Sequence, residues 1–191
     1  MRFRLRHTDI TKRSDSELCQ MLQGSKGESE PAFKELYRRH APRLHAYCYR
    51  ILEHKEEAED VFQETFVRFF NAVRQEREMT NVPGFMLRTA RNLCLNRKRD
   101  RAPVTSIEGL DLPYQSNPLF ENEELLLLIG GAVELLDDEY REAFILREYD
   151  NLSYESIAEL TGTTVTNAKS RVFRARQKIR KMLEPNIREL R

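Results

Sequence analysis

The chain has 191 residues, a formal net charge of +1 and 33% charged residues, which bounds it to one or two small domains and gives no global positive excess pointing to nucleic acid. The absence of Trp, few Gly, abundant Leu, Arg and Glu and hardly any β-branched run predict an all-α protein. The longest apolar run, Leu125 to Val133, falls short of the ~20 residues that cross a bilayer, and MRFRLRHTDI at the start lacks an apolar stretch, so the expectation is a cytoplasmic protein without membrane insertion.

In chain order, Ser14 or Ser16 caps a short helix through Leu18, Met21 and Leu22, and GSKGESE reads as a loop. Pro31 is expected to open a long helix through Phe33, Leu36, Tyr37, His40, Leu44, Tyr47, Cys48, Ile51 and Leu52, kinked at Pro42. A third helix begins near Lys55. Glu56, Glu57 and Glu59 complement the dipole of its first turn, and Ala58, Val61, Phe62, Thr65, Phe66, Phe69 and Val73 form its inner face. Phe62, Phe66, Phe69 and Phe70 cannot all share one stripe, because neighbours in sequence point about 100° apart. Core packing is the first reading for all four, a partner surface the rival for one or two.

QEREMTNVPG reads as a loop ended by Pro83 and Gly84, followed by a helix from Phe85 to about Arg101. Met86, Leu87, Ala90, Leu93 and Cys94 lie inside it, with Arg88, Arg91, Asn92, Asn96 and Arg99 outside. A basic stripe beside a ring suits a single nucleic-acid strand, since charge holds the backbone while the ring stacks a base. From Ala102 to Asn122 the periodicity lapses into Pro, Gly and Ser, which predicts a flexible linker (102–122) between two small helical domains, 1–101 and 123–191. The second opens with ENEELLLLIGGAVELL, whose Gly130 and Gly131 permit close helix contact, and continues with a helix from about Asp137 to Tyr149.

LSYESIAELTGTTVTNAKSRVFRARQKIR then reads as a helix-turn-helix. Ser153 caps the first helix, and Gly162, four residues after the small Ala158, ends it in the left-handed conformation. Val165, Ala168, Val172, Ala175 and Ile179 face a core, while Asn167, Arg171, Arg174 and Lys178 form a polar stripe. Every ionisable residue from Lys169 to Lys181 is basic, whereas a merely solvated helix mixes signs, so the second helix is expected to lie against DNA. Asn and Arg near its start can read adenine and guanine edges.

Cys19, Cys48 and Cys94 are widely spaced and sit among apolar positions, as buried reduced thiols do. His40 and His45 are five apart and do not share a helix face, so a metal site is not expected.

Three segments, AEDVFQETFVRFF from Ala58, PGFMLRTARNLCLNRKR from Pro83 and REAFILREYDNLSYESIAELTGTTVTNAKSRVFRAR from Arg141, in this order resemble the extracytoplasmic-function (ECF) sigma factors of bacterial RNA polymerase, in the sigma-70 family. The resemblance implies a sigma factor that directs core polymerase to promoters and assists melting, with no catalytic residue, metal or cofactor. Its implied partners are core polymerase (largest-subunit clamp helices and flap), promoter DNA and an anti-sigma factor. By the same resemblance Asp60, Gln63, Glu64 and Phe66 dock on the clamp helices. Thr80, Asn81, Phe85, Arg88, Arg91, Asn92, Asn96, Arg97 and Lys98 capture the non-template strand of the minus-ten element. Thr164, Thr166, Asn167, Lys169, Ser170, Arg171, Arg174 and Lys178 bind the minus-thirty-five element from the major groove.

The chain departs from the family at several places. Phe85 stands where many members have Trp and Asn96 where Asp is frequent, and VTNAKSR replaces the commoner Gly-Thr-Val before Lys-Ser-Arg. Asp137 and Asp138 stand where Pro is frequent. Two rival functions compete with this reading. A dimeric helix-turn-helix regulator has no need of an acidic, aromatic helix and a single-strand face. A metal enzyme built on Glu56, Glu57, Glu59, Asp60 and Glu64 lacks His or Cys at ligand spacing.

Overall fold

The computed structural model describes residues 9–75, 79–101 and 123–189, the side chains of 123, 124 and 186–189 excepted. Among the described residues every regular element is helical. The chain forms two compact units, one within Met1–Ala102 and one within Pro103–Arg191. The expected linker, 102–122, lies outside the described residues.

In the first unit a 3-10 turn, Ile10–Lys12, precedes α1 (Asp15–Leu22), α2 (Lys26–Leu52), α3 (Lys55–Arg74) and α4 (Val82–Asp100). Ser14, not Ser16, caps α1: the Ser14 amide donates to the Glu17 carboxylate at 2.7 Å, and the Glu17 amide donates back to the Ser14 hydroxyl at 3.3 Å. That contact holds the Glu17 carboxyl below its usual range. The Ser16 hydroxyl instead donates to the Met79 carbonyl at 3.1 Å, tying α1 to the segment before α4.

The expected loop GSKGESE is a correction. α2 starts at Lys26, five residues before Pro31, because the Glu28 carboxylate turns back to accept from the Ser25 amide (3.3 Å) and hydroxyl (3.1 Å). Pro31 and Pro42 each leave the carbonyl four residues earlier, on Gly27 and Arg38, without its helical partner. Both residues are exposed, so water can satisfy them.

α2 turns into α3 through Glu53, at a left-handed φ of 54°, and His54, whose ring accepts from the Glu57 amide at 3.4 Å. The core between α1, α2, α3 and α4 holds Leu18, Leu36, Tyr47, Leu52, Val61, Phe69 and Met86, all fully buried. Thr65 is buried there too, its hydroxyl satisfied by the Val61 carbonyl at 2.7 Å. α4 begins at Val82 rather than Phe85, since Asn81 supplies the cap. Arg101, just past its end, clamps Glu57 at 2.6 Å and the Leu52 carbonyl at 3.1 Å. The three cysteines are free and buried, as expected. Burial pushes the Cys19 thiol up to about 11, and a hydrogen bond with Cys94, with burial, pushes Cys48 higher still.

The second unit contains α5 (Glu123–Glu134), α6 (Asp138–Phe144), α7 (Tyr154–Thr161) and α8 (Val165–Glu189). The single helix expected from Asp137 to Tyr149 is another correction, because Ile145–Tyr149 is a π turn in which the Asp150 amide reaches back five residues to the Ile145 carbonyl at 3.1 Å. Gly131 is exposed and a Cβ there would meet nothing within 4 Å, so it makes no close helix contact. Ala168, Val172, Ala175 and Ile179 of α8 are buried, as are Leu136, Phe144, Ile145 and Ile157, and α8 packs against α5, α6 and α7.

Candidate polymerase and nucleic-acid interfaces

On α3 the core stripe leaves Asp60, Gln63 and Glu64 along the solvent side, where Asp60 is 64% and Glu64 40% exposed. Each has a partner on the surface. Gln63 donates to Glu59 at 2.9 Å, Glu64 pairs with Arg68 at 2.6 Å and Asp60 lies 3.8 Å from Arg97. Phe66 does not belong to this face. It is 5% exposed, and its ring lies 4.9 Å from Tyr37 and 5.3 Å from Phe62, which is the correction its place in the Phe62–Phe69–Val73 stripe requires. Phe62 and Phe69 are buried and Phe70 half-buried, while Val67, one turn beyond Gln63 and Glu64, is 58% exposed at the C-terminal end of the acidic face. The five carboxylates weighed as metal ligands diverge, Glu57 to Arg101 and Glu59 to His45 at 3.1 Å among them. Among the described residues no three His, Cys, Asp or Glu are grouped to hold a metal.

α4 presents Arg88, Asn92 and Asn96 exposed and Phe85, Arg91 and Lys98 half-buried. Phe85 stands at the rim, its ring 6.3 Å from the buried Phe69. Two predicted strand contacts are placed otherwise. The Asn81 carbonyl oxygen accepts from the Gly84 amide at 2.9 Å, so this side chain caps the helix, and Gly84 is what lets it: a Cβ there would come 2.5 Å from the Asn81 amide nitrogen. Arg97, exposed one turn past Leu93 and Cys94, lies 3.8 Å from Asp60 on α3. Thr80 is exposed beside the cap. Leu95, 41% exposed among the basic residues, escaped the sequence reading because it interrupts their charge pattern.

In the second unit Ser153 caps α7, accepting from the Ser156 amide at 3.1 Å. Gly162 ends it at φ 67°, and the Thr163 amide donates to the Ala158 carbonyl at 2.9 Å, the contact that the small residue and the glycine together allow. Thr164 starts α8: its hydroxyl accepts from the Asn167 amide at 3.1 Å, so this predicted DNA contact has a capping role. Thr166, Asn167, Lys169 and Arg174 are exposed and Ser170, Arg171 and Lys178 half-buried.

One flank of α8 leans on α6. Arg171 pairs with Glu139 at 2.9 Å, Arg174 donates to the Tyr140 hydroxyl at 3.4 Å, and Lys178 bonds Asp137 with its ammonium 4.7 Å over the Tyr140 ring. The Lys178 contact holds the Asp137 carboxyl below its usual range, and the Tyr140 bond raises Arg174. The other flank meets the π turn and α7, where Arg176 pairs with Glu148 at 2.6 Å and Lys169 sits 5.7 Å over Tyr154. Between the flanks Phe173 is 61% exposed, a ring on the outward surface of a basic helix. Its position off the Val172–Ala175–Ile179 stripe was the available signal.

Residues 36–103 match the family model for sigma-70 region 2 and residues 126–179 that for sigma-70 region 4. The chain is 32% identical to the ECF RNA polymerase sigma factor SigE of Mycolicibacterium smegmatis over 80% of its own length and 62% of that relative's. It is 34% identical to the ECF RNA polymerase sigma-E factor of Escherichia coli over 68% of its own length and 75% of that protein's. The chain belongs to the ECF group of the sigma-70 family. It is a sigma factor, a non-enzymatic initiation factor that directs RNA polymerase to promoters. It also resembles, with TM-score 0.65 and 25% identity over 80% of this chain and 96% of the other, the sigma factor RpoE solved with the anti-sigma factor NepR from Bartonella quintana. No helix among the described residues is long and apolar enough to cross a membrane.

Proposed function

We propose that the three surfaces divide promoter recognition. The α3 face of Asp60, Gln63 and Glu64, with Val67 at its C-terminal end, docks on the largest-subunit clamp helices of core polymerase, and the second unit reaches the flap. Phe66 supports that face from beneath. Thr80 and the α4 surface of Phe85, Arg88, Arg91, Asn92, Asn96 and Lys98 capture the non-template strand of the minus-ten element, while Asn81 and Arg97 hold the frame around it. From the major groove of the minus-thirty-five element, Thr166, Asn167, Ser170 and Arg171 lie towards the bases, and Lys169, Arg174 and Lys178 towards phosphate. The protein works in the cytoplasm, and an anti-sigma factor covers it there when its promoters are silent, as the pairing of the RpoE relative with NepR supports.

The observation that carries the reading is the rim position of Phe85 beside exposed and half-buried cations on α4, a stacking ring next to a track for phosphates. Opening duplex costs a few kcal/mol per unstacked step, and contacts made only to the freed strand offset it. Replacing Arg88, Arg91 and Lys98 with Ala is therefore expected to impair open-complex formation on a duplex promoter far more than on a pre-melted bubble, as read by permanganate reactivity. Equal loss on both templates would place the face on duplex phosphate or in support of the fold.

A further inference from the structure

The cations on the α6 flank of α8 are not simply offered to solvent. Asp137 is the N-cap residue of α6, yet its side chain makes no capping hydrogen bond and goes to Lys178 instead. Glu139, in the first turn of α6, takes Arg171 at 2.9 Å, and Tyr140 takes Arg174 and lies under Lys178. Asp137, Glu139 and Tyr140, at the start of α6, thus hold the three cations of one flank. The helix dipole stabilises the two carboxylates at that end. A carboxylate bonded to Lys or Arg occupies the place a phosphate oxygen would take, with the same charge sign and the same geometry of donors.

We infer that Asp137 and Glu139 are specificity-determining residues that compete with DNA phosphate for Lys178 and Arg171, and so hold the free protein off DNA of random sequence. The inference rests on α8 being the helix that contacts duplex DNA. Affinity for random duplex comes from phosphate contacts and counterion release, so a cation shared with a carboxylate contributes less to it. On its target the Arg171 guanidinium can leave Glu139 for a base edge, where a bidentate bond replaces the lost pair. Random sequence offers no such replacement, and discrimination widens because the unwanted complex is weakened more.

The test is binding of the full chain, without polymerase, to a labelled duplex of random sequence across a series of salt concentrations. Asp137→Asn with Glu139→Gln is expected to tighten binding by about two- to five-fold per carboxylate removed, the size of an exposed ion pair. The log-affinity against log-salt slope should steepen by up to about one per released cation. Asp137→Asn alone retains a good N-cap residue and keeps the test informative if the double variant folds poorly. Unchanged affinity and slope would overturn the competition, and so would weaker binding at unchanged melting temperature, which would make the carboxylates supports for the bound cations. Arg171→Ala with Lys178→Ala separates the two levels. If that pair also leaves random-duplex binding unchanged, the assignment of α8 itself has failed, whereas a loss there with no gain from the α6 variants defeats the competition alone.

Discussion

Arg141→Met is expected to destabilise the second unit by about 3–5 kcal/mol, the cost of stripping a buried charged group from its partners. The guanidinium is only 6% exposed and donates to the Val133 carbonyl at 3.2 Å, the Leu136 carbonyl at 2.9 Å and the Glu134 carbonyl. These belong to the last turn of α5 and the residues leaving it, the end that carries the negative pole of the helix dipole. Asp138, 3.8 Å away and 69% exposed, is a weak counter-ion by comparison. Met keeps much of the volume but donates nothing, so the Glu134 and Leu136 carbonyls lose this donor, at about 1–3 kcal/mol for each that stays dry, while the Val133 carbonyl keeps the Leu136 amide at 3.1 Å. A small domain has roughly 5–15 kcal/mol to lose. Hydrogen exchange reads the effect by unit: protection of the Ala168, Val172 and Ala175 amides should fall by about two orders of magnitude or more, with that of Val61 and Phe69 unchanged. A loss below about 1 kcal/mol would mean that water reaches those carbonyls.

Charge reversal on the polymerase face is the second large effect. Asp60→Lys with Glu64→Lys should weaken affinity for core polymerase by about a hundredfold or more, because like charges placed across an interface cost several kcal/mol. Folding should hardly change. Asp60 is exposed and Glu64 half-buried, and their pairs with Arg97 and Arg68 are surface contacts of about 0–1 kcal/mol. Pull-down of core polymerase, with thermal melting as the control, distinguishes the two levels. Unchanged capture by a folded variant would remove α3 from the docking surface. Phe66→Ala is no substitute for this test, since emptying that buried site destabilises the unit whatever the face does.

The elements whose signals are local were the legible ones. Ser153, Ala158, Gly162 and the Val172–Ala175–Ile179 stripe lie within one short segment, and cap, turn and core face follow from spacing alone. The start of α2 precedes Pro31 because Ser25 and Glu28 set the cap, and water can satisfy an exposed carbonyl that a proline leaves behind. Phe66 is a different case: helical spacing puts it on the core stripe, where it is buried, whereas the family resemblance draws it onto the docking face. The partners of the α8 cations were out of reach, because Asp137, Glu139 and Tyr140 lie more than 30 residues earlier in the chain and meet α8 only through the tertiary packing of α6. The π turn after Phe144 has no periodicity that distinguishes it from the helix expected there.

The central claim is that α8 reads a duplex element and α4 a melted one. Promoter selection from a randomised library by reconstituted holoenzyme tests it most directly, with Asn167→Ala and Asn92→Ala compared against the unaltered chain. Asn167→Ala should change the bases selected in the upstream, minus-thirty-five element alone, with about 1–3 kcal/mol of discrimination lost at the affected position. Asn92→Ala should change selection only within the minus-ten element. Uniformly weaker selection with the same bases in both variants, or a shift of the upstream element by Asn92→Ala, would contradict the account.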